Sequence, residues 1–416
     1  MRYLKIFFRF AAMIAAACAV ILFSNMENRP GLRDFPYPYS AMLSIQSHID
    51  GCTEEEFRII HDFLNTENWS DKYGKGVGLD VGDSMWMYLY NDGVAYREED
   101  NMEPGDYMSW FRGHTFEKNS ADLIKAYWDM DYIDSIHTVG DFSMTGGKVV
   151  FFRELAKIAY EQMNERGIYP AVWINHGTET NVQNLGGYSP FGFTRYQSGD
   201  KKGSEYYHAD LMRKAGIKFI WNSICDSRFG MKNPLFPILL RDGQTFWGFK
   251  SYTGYPTKGG YKYQWSPLDL ADVLKESNLD KIIENREFSF IATHLGSADN
   301  MWAIMNDSNL RAFRTLKAYQ NEGKILVARS SKLLRYCQMR NFVSFEKQGN
   351  DINVTGIRDP IIRGITLTSN MLRGLTFYVD DSSAATLSLY GERVPEESIQ
   401  RNPPDETGKE SIAFVW

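Results

Sequence analysis

Cysteine is scarce in this chain of 416 residues: there are four, and no two stand in Cys-x-x-Cys spacing. That sets aside a thiolate zinc site and a redox motif. Basic clusters are missing too. Beyond the first ten residues no cluster of lysine and arginine occurs, and the formal net charge is -6, which argues against nucleic acid as a partner. The composition has none of the bias of a disordered, collagenous or coiled-coil chain. No apolar run is long enough to be an unambiguous bilayer span; the longest, Phe10 to Phe23, is short for one.

That run follows Arg2, Lys5 and Arg9 and precedes polar Ser24 to Asn28. Residues 1–25 therefore read as an N-terminal membrane anchor, with a cleaved signal as the alternative. Either way the positive flank places everything after residue 25 outside the cytoplasm, periplasmic or extracellular. Export would permit disulfides, but Cys52, Cys225 and Cys337 are an odd number outside the segment, so at least one is unpaired or intermolecular.

A Pro/Tyr-rich linker is expected over 26–39. Apolar β-type runs then alternate with helical stretches, the pattern of a parallel sheet with crossover helices. Strands are expected at Ala41 to Ser47, Val77 to Val81, Ile133 to His137, Ala171 to Ile174, Ile217 to Trp221, Thr245 to Phe249, Phe288 to Thr293 and Ile325 to Val327. About eight of them suit a closed (β/α) barrel over 40–337. Three times an amphipathic helix ends at a glycine, Gly167, Gly216 or Gly323, that feeds an apolar strand. Thr53 to Glu56 is a capping box opening a helix whose apolar stripe is Phe57, Ile60, Phe63 and Leu64. From about residue 340 strands follow one another without helices, which predicts a small all-β sandwich over 338–416. Tyr252 to Trp265, glycines among aromatics, reads as a packed surface loop, with stacking on sugar rings as its second reading.

Polar residues stand where the expected strands end: Asp50, Asp83, His137 with Asp141, Asn175 with His176, Asn222 with Asp226, and His294. In a (β/α) barrel these ends converge on one mouth. Any single strand-end Asp or Asn is ordinarily a cap or turn former, but the cap after Asp50 is already supplied by Thr53. His137 and His294 end apolar strands where a hydrophobe would suit a core better. His48 is a lesser candidate on the same side of the strand as Asp50, and His61, His114 and His208 read as packing or surface residues. Asp50, His137 and Asp141 would give a divalent ion two carboxylates and one imidazole, zinc before manganese, with positions open to water.

Ser47 to Gly51, His137 to Asp141 and Ile291 to His294 resemble, in order, three motifs of the polysaccharide deacetylase (NodB-like) family, and Val327 to Tyr336 is similar to the end of its last strand. The resemblance implies a divergent, metal-dependent hydrolase that removes N-acetyl groups from a cell-envelope or extracellular polysaccharide. The family's general base is replaced by Ile49 and its second metal histidine by Asp141. Where the family's motifs on strands four and five would fall stand Trp173, Asn175, His176 and Glu179. The acid/base role then passes to His294, His176, Asp83 or Glu179, and Trp173, Asn175 and Glu179 are candidates to contact the sugar. Two alternatives come from other classes: a metal-free glycoside hydrolase with paired carboxylates such as Asp50 and Asp83, and a barrel that binds glycan during polysaccharide assembly without chemistry.

Overall fold

The computed structural model describes residues 29–89, 106–143, 148–177, 179–186, 197–223, 225–296 and 302–416. The segment 1–25, read as an anchor or signal, lies outside the described residues. Among the described residues no helix is long and apolar enough to cross a membrane, and no disulfide joins Cys52, Cys225 and Cys337.

The chain is mixed α/β and divides into two compact units, residues 39–335 and a second unit that joins 29–38 to 336–416. In the larger unit the strands are β1 (Ala41–Ser47), β2 (Trp69–Ser70), β3 (Gly74–Lys75), β4 (Asp83–Met85), β5 (Tyr88–Leu89), β6 (Ile133–His137), β7 (Gly140–Asp141) and β8 (Val172–Ile174). They continue with β9 (Phe219–Trp221), β10 (Phe236–Leu239), β11 (Thr245–Phe249), β12 (Gly254–Thr257), β13 (Gly260–Tyr263), β14 (Phe288–Thr293) and β15 (Ile325–Val327).

Two sheets carry the framework, one in the order β14-β1-β15 and one in the order β10-β11-β9-β8-β6-β4. All their pairings are parallel except β10 with β11. Isolated parallel bridges tie the two sheets, Gln46 on β1 to Gly82 just before β4, and Ile291 on β14 to Tyr252 three residues past β11. Every residue of β1, β6 and β14 is buried, as expected of parallel strands covered on both faces.

Helices cover these strands for the reasons visible in their sequence. Helix Glu54–Asn65 begins at a reciprocal cap, with the Thr53 hydroxyl accepting from Glu56 N at 3.3 Å and the Glu56 carboxylate accepting from Thr53 N at 2.9 Å. It buries Phe57, Ile60, His61, Phe63 and Leu64. Gly167, Gly216 and Gly323 have positive φ and end their helical segments as expected. The expected strand over Val77 to Val81 does not form. Its N–H groups turn instead to the carbonyls at the end of helix Glu54–Asn65, Val77 N to Phe63 O at 2.8 Å and Leu79 N to Leu64 O at 2.6 Å. Helix ends leave such acceptors open, so an apolar alternating segment finds partners without joining a sheet. The strand starts later, at Asp83.

The second unit contains β16 (Val343–Gln348), β17 (Asp351–Ile357), β18 (Thr376–Val379), β19 (Thr386–Leu389), β20 (Glu392–Arg393), β21 (Ile399–Asn402) and β22 (Glu410–Phe414). They form sheets in the orders β16-β17-β19-β20 and β18-β22-β21. The alternating stretch Ile365 to Thr368 is irregular. Residues 29–38, expected as linker, are built into this unit: Leu32 bridges Phe377, Arg33 N donates to Thr376 O at 2.8 Å, and buried Arg33 pairs with Asp405 at 3.0 Å.

Candidate metal centre

Because the strands run parallel, their C-terminal ends lie on one side. There Asp50 follows β1, His137 ends β6, His176 stands two residues past β8, Trp221 ends β9 and His294 follows β14. These residues, with His48, Asn175, Gly177, Trp265, Ser266 and Pro267, line a cavity of about 330 Å³.

Asp50 is the centre of the cluster. Its Oδ1 lies 2.9 Å from His137 Nδ1, and its Oδ2 lies 3.1 Å from His176 Nε2 and 3.8 Å from His294 Nε2. The ring of His48 packs 4.7 Å from that of His137, 5.0 Å from that of His294 and 5.2 Å from that of Trp221. The other face of His176 meets a second carboxylate, Asp141 Oδ1, 3.3 Å from Nδ1. Asn181 Nδ2 lies 3.1 Å from the same nitrogen. Asp50, His137 and His176 each offer one ligand atom, all within 4.8 Å of one another, so this group could hold a metal ion.

The charges are tightly balanced. Burial alone would raise the Asp50 carboxyl, but His137 and His176 hold it well below the usual carboxylate range. Burial alone would lower His176, yet the carboxylates of Asp50 and Asp141 push it up to about 10. Burial drives His48 well below the usual imidazole range, with the charges of His137 and His294 adding to it, and lowers His137 despite Asp50 beside it. Two buried carboxylates thus demand positive charge at His176. A proton supplies it here, and a cation held by the same nitrogen would supply it equally. The donor set, one carboxylate and two imidazoles with a further carboxylate behind one ring, is chemistry that suits a divalent ion.

The turn that places Asp141 is strained. Thr138, β-branched, has φ of 54°, a conformation that such residues rarely adopt. Its Oγ1 lies 2.6 and 2.7 Å from the carbonyl oxygens of His137 and Gly140, and Gln183 Nε2 donates to it at 3.2 Å. Gly140 is obligatory: a Cβ there would stand 2.1 Å from Tyr88 O, in the short parallel pair β5 and β7.

The expected site residues divide. Asp50, His137, His176 and His294 are brought together, and His48, the lesser candidate, lies among them. Asp141 abuts His176 instead of joining the group within ligand distance, because β7 sets it behind the ring. Asp83 is a correction. Since its strand begins where it was expected to end, it sits level with Ile133 at the start of β6, 3.8 Å from His61 and away from the cavity, so it cannot pair with Asp50 across the mouth. Trp173 is buried, its Nε1 donating to Asn175 Oδ1 at 2.8 Å and its ring against His208. Asn175 lines the cavity, but its amide is committed to Trp173, Leu185 N and Leu185 O. Glu179 is exposed and lines no part of it. Sequence reasoning missed Trp221 and Asn181; Trp265 entered it only as the end of the aromatic stretch Tyr252 to Trp265. No family model, characterised protein or solved structure matches the chain.

Proposed function

We propose that the larger unit is a metal-dependent hydrolase that removes an N-acyl group from a carbohydrate, with a divalent ion, zinc first, at Asp50, His137 and His176. The observation that carries this reading is a buried carboxylate facing three imidazoles inside a ligand-sized cavity at the C-terminal ends of parallel strands. We infer a (β/α) barrel as its scaffold, since the bridges from β1 (Gln46) to Gly82 before β4 and from β14 (Ile291) to Tyr252 after β11 connect the two parallel sheets on both sides. Membrane attachment and a place outside the cytoplasm rest on the basic and apolar segment 1–25.

When bound, a divalent ion supplies Lewis acidity, polarising an acyl carbonyl and making water a better nucleophile. The chain's own groups do the rest. His294 Nδ1 donates to Trp265 O at 3.1 Å, which orients the ring with Nε2 3.8 Å from Asp50 Oδ2. Of the three histidines facing Asp50, His294 is also the most exposed, at 17% against 2% for His137 and 12% for His176. It takes the proton from attacking water and returns it to the departing amine nitrogen. This answers the loss at Ile49, whose side chain lies in the core. Asp141 orients His176 from behind, and Trp221, Trp265 and Pro267 exclude bulk water.

One observation favours a second reading, a glycan-binding protein without chemistry: the His176 imidazolium already neutralises the Asp50 and Asp141 pair. Acetate release from N-acetylated oligosaccharides with added zinc decides between them. The hydrolase reading expects release that His137→Ala and His294→Asn abolish. No release, with glycan binding intact, selects the binding reading.

A further inference from the structure

The second unit carries positive charge that its own acids leave unmatched. Arg29 and Arg358, with residues 341–345 leading into β16, line a groove of about 340 Å³, and no carboxylate is among its lining residues. Arg29 is held there by neutral groups. Its Nη1 donates to Arg340 O at 2.8 Å and its Nη2 to Val343 O, and its guanidinium lies over the Phe345 ring, 5.7 Å from the centroid. Burial and the neighbouring charge of Arg340 push it down to about 10, as happens to a half-buried cation that no anion faces. Arg340 has its anion already, in Asp34. Arg358 is exposed, and among the described residues no acid pairs with it or with Arg29.

The groove is also close in the chain to the apolar run that ends at Phe23. The six residue steps from 23 to 29 span at most about 21 Å when fully extended, and the headgroup layer occupies about the first 6 Å outside the hydrocarbon. A membrane segment over 1–25 would therefore tether the groove beside the headgroups. Tethering raises the effective concentration of lipid, so a site of modest intrinsic affinity fills. The planar fork of a guanidinium matches the oxygens of a phosphate.

Resting on the reading of residues 1–25 as a membrane segment, we propose that this groove binds the phosphate of an anionic phospholipid, with Arg29 and Arg358 as its cations and the Phe345 ring beneath Arg29. The lipid holds the β16 edge of the second unit against the bilayer. A zwitterionic headgroup brings its own cation and is the poorer ligand. The competing anion within the chain is Glu27, the one acid between Phe23 and Arg29.

The test places the full chain in nanodiscs of phosphatidylcholine, with and without phosphatidylglycerol. Phenylglyoxal modification, read by peptide mass spectrometry, reports the accessibility of each arginine. Phosphatidylglycerol should slow modification of Arg29 and Arg358 at least about fivefold, the effect of one arginine beside an anionic surface. Arg393 on β20, at the opposite edge of the sheet from β16, should be unaffected. Arg358→Glu should abolish the protection of Arg29 and Arg358→Lys should keep it, with thermal melting unchanged in both. Equal rates in the two kinds of disc overturn the proposal, and so does equal protection by glycerol phosphate in phosphatidylcholine discs, which assigns the groove to a soluble phosphate. Arg29 that is indifferent to lipid and becomes reactive only in Glu27→Gln assigns it to the chain's own carboxylate and overturns the proposal too. A chain that leaves phosphatidylcholine discs in high salt would overturn the membrane-segment reading; protection of its two arginines by phosphatidylglycerol vesicles would leave the groove standing.

Discussion

Filling the metal centre should expel a proton. His176 is raised to about 10 by Asp50 and Asp141, so near neutrality the metal-free protein holds it as an imidazolium, and a ligand nitrogen must be deprotonated. At pH 7 the displacement of that proton costs on the order of 4 kcal/mol, three pH units at about 1.36 kcal/mol each. Apparent affinity for zinc should therefore rise about tenfold per pH unit between pH 7 and 9, with close to one proton released per ion. Calorimetry in buffers of different ionisation enthalpy reads both quantities. For the metal-free fold the sign follows the raised value: the His176 contribution is fully present below the unfolded value of about 6.5 and is lost as pH rises through about 10. Asp141→Asn removes one of the two charges that hold the proton, so it should flatten the pH dependence. Affinity that does not change from pH 7 to 9, with no proton released, would refute this reasoning.

The acid limb of stability should belong in part to His208, which sits buried with its Nε2 donating to Gln183 O at 2.8 Å and the Tyr160 hydroxyl 3.2 Å from Nδ1. Burial lowers it to about 4, so stability should fall by roughly 3 kcal/mol as pH drops from 6.5 to 4, measured by urea unfolding, and His208→Gln should shrink that dependence. Gly140→Ala should destabilise the fold and reduce metal uptake together, since its Cβ collides with Tyr88 O and displaces Asp141; a variant with the melting temperature and uptake of the parent would contradict this. Thr53→Ala should cost about 1 kcal/mol through loss of the cap on helix Glu54–Asn65, read by chemical denaturation, without altering metal uptake.

Much of the framework was legible because periodicity and punctuation agreed. β1, β6, β11, β14 and β15 occupy the residues expected of them, each an apolar run bounded by a turn or a helix-ending glycine. The error at Val77 to Val81 had a physical source. Alternation specifies a segment with one buried face, and here that face is met by the end of a helix, a partner that no local pattern announces. The consequence reached the site, for it carried Asp83 from the closing end of its strand to the opening end. Within the site, Asp50, His137 and His294 could be found from position alone. The exchange of roles between His176 and Asp141 could not, because it depends on the short pair of β5 and β7 and on the strained Thr138 turn, and both are set by Tyr88, about fifty positions earlier in the chain.

The central claim is tested most directly by equilibrium dialysis of the purified chain against zinc, with metal counted by mass spectrometry. The account predicts one ion per chain, lost in Asp50→Ala and retained in Asp83→Ala and Glu179→Ala. A parent that retains no ion, or an Asp50→Ala variant that retains as much as the parent, would contradict it.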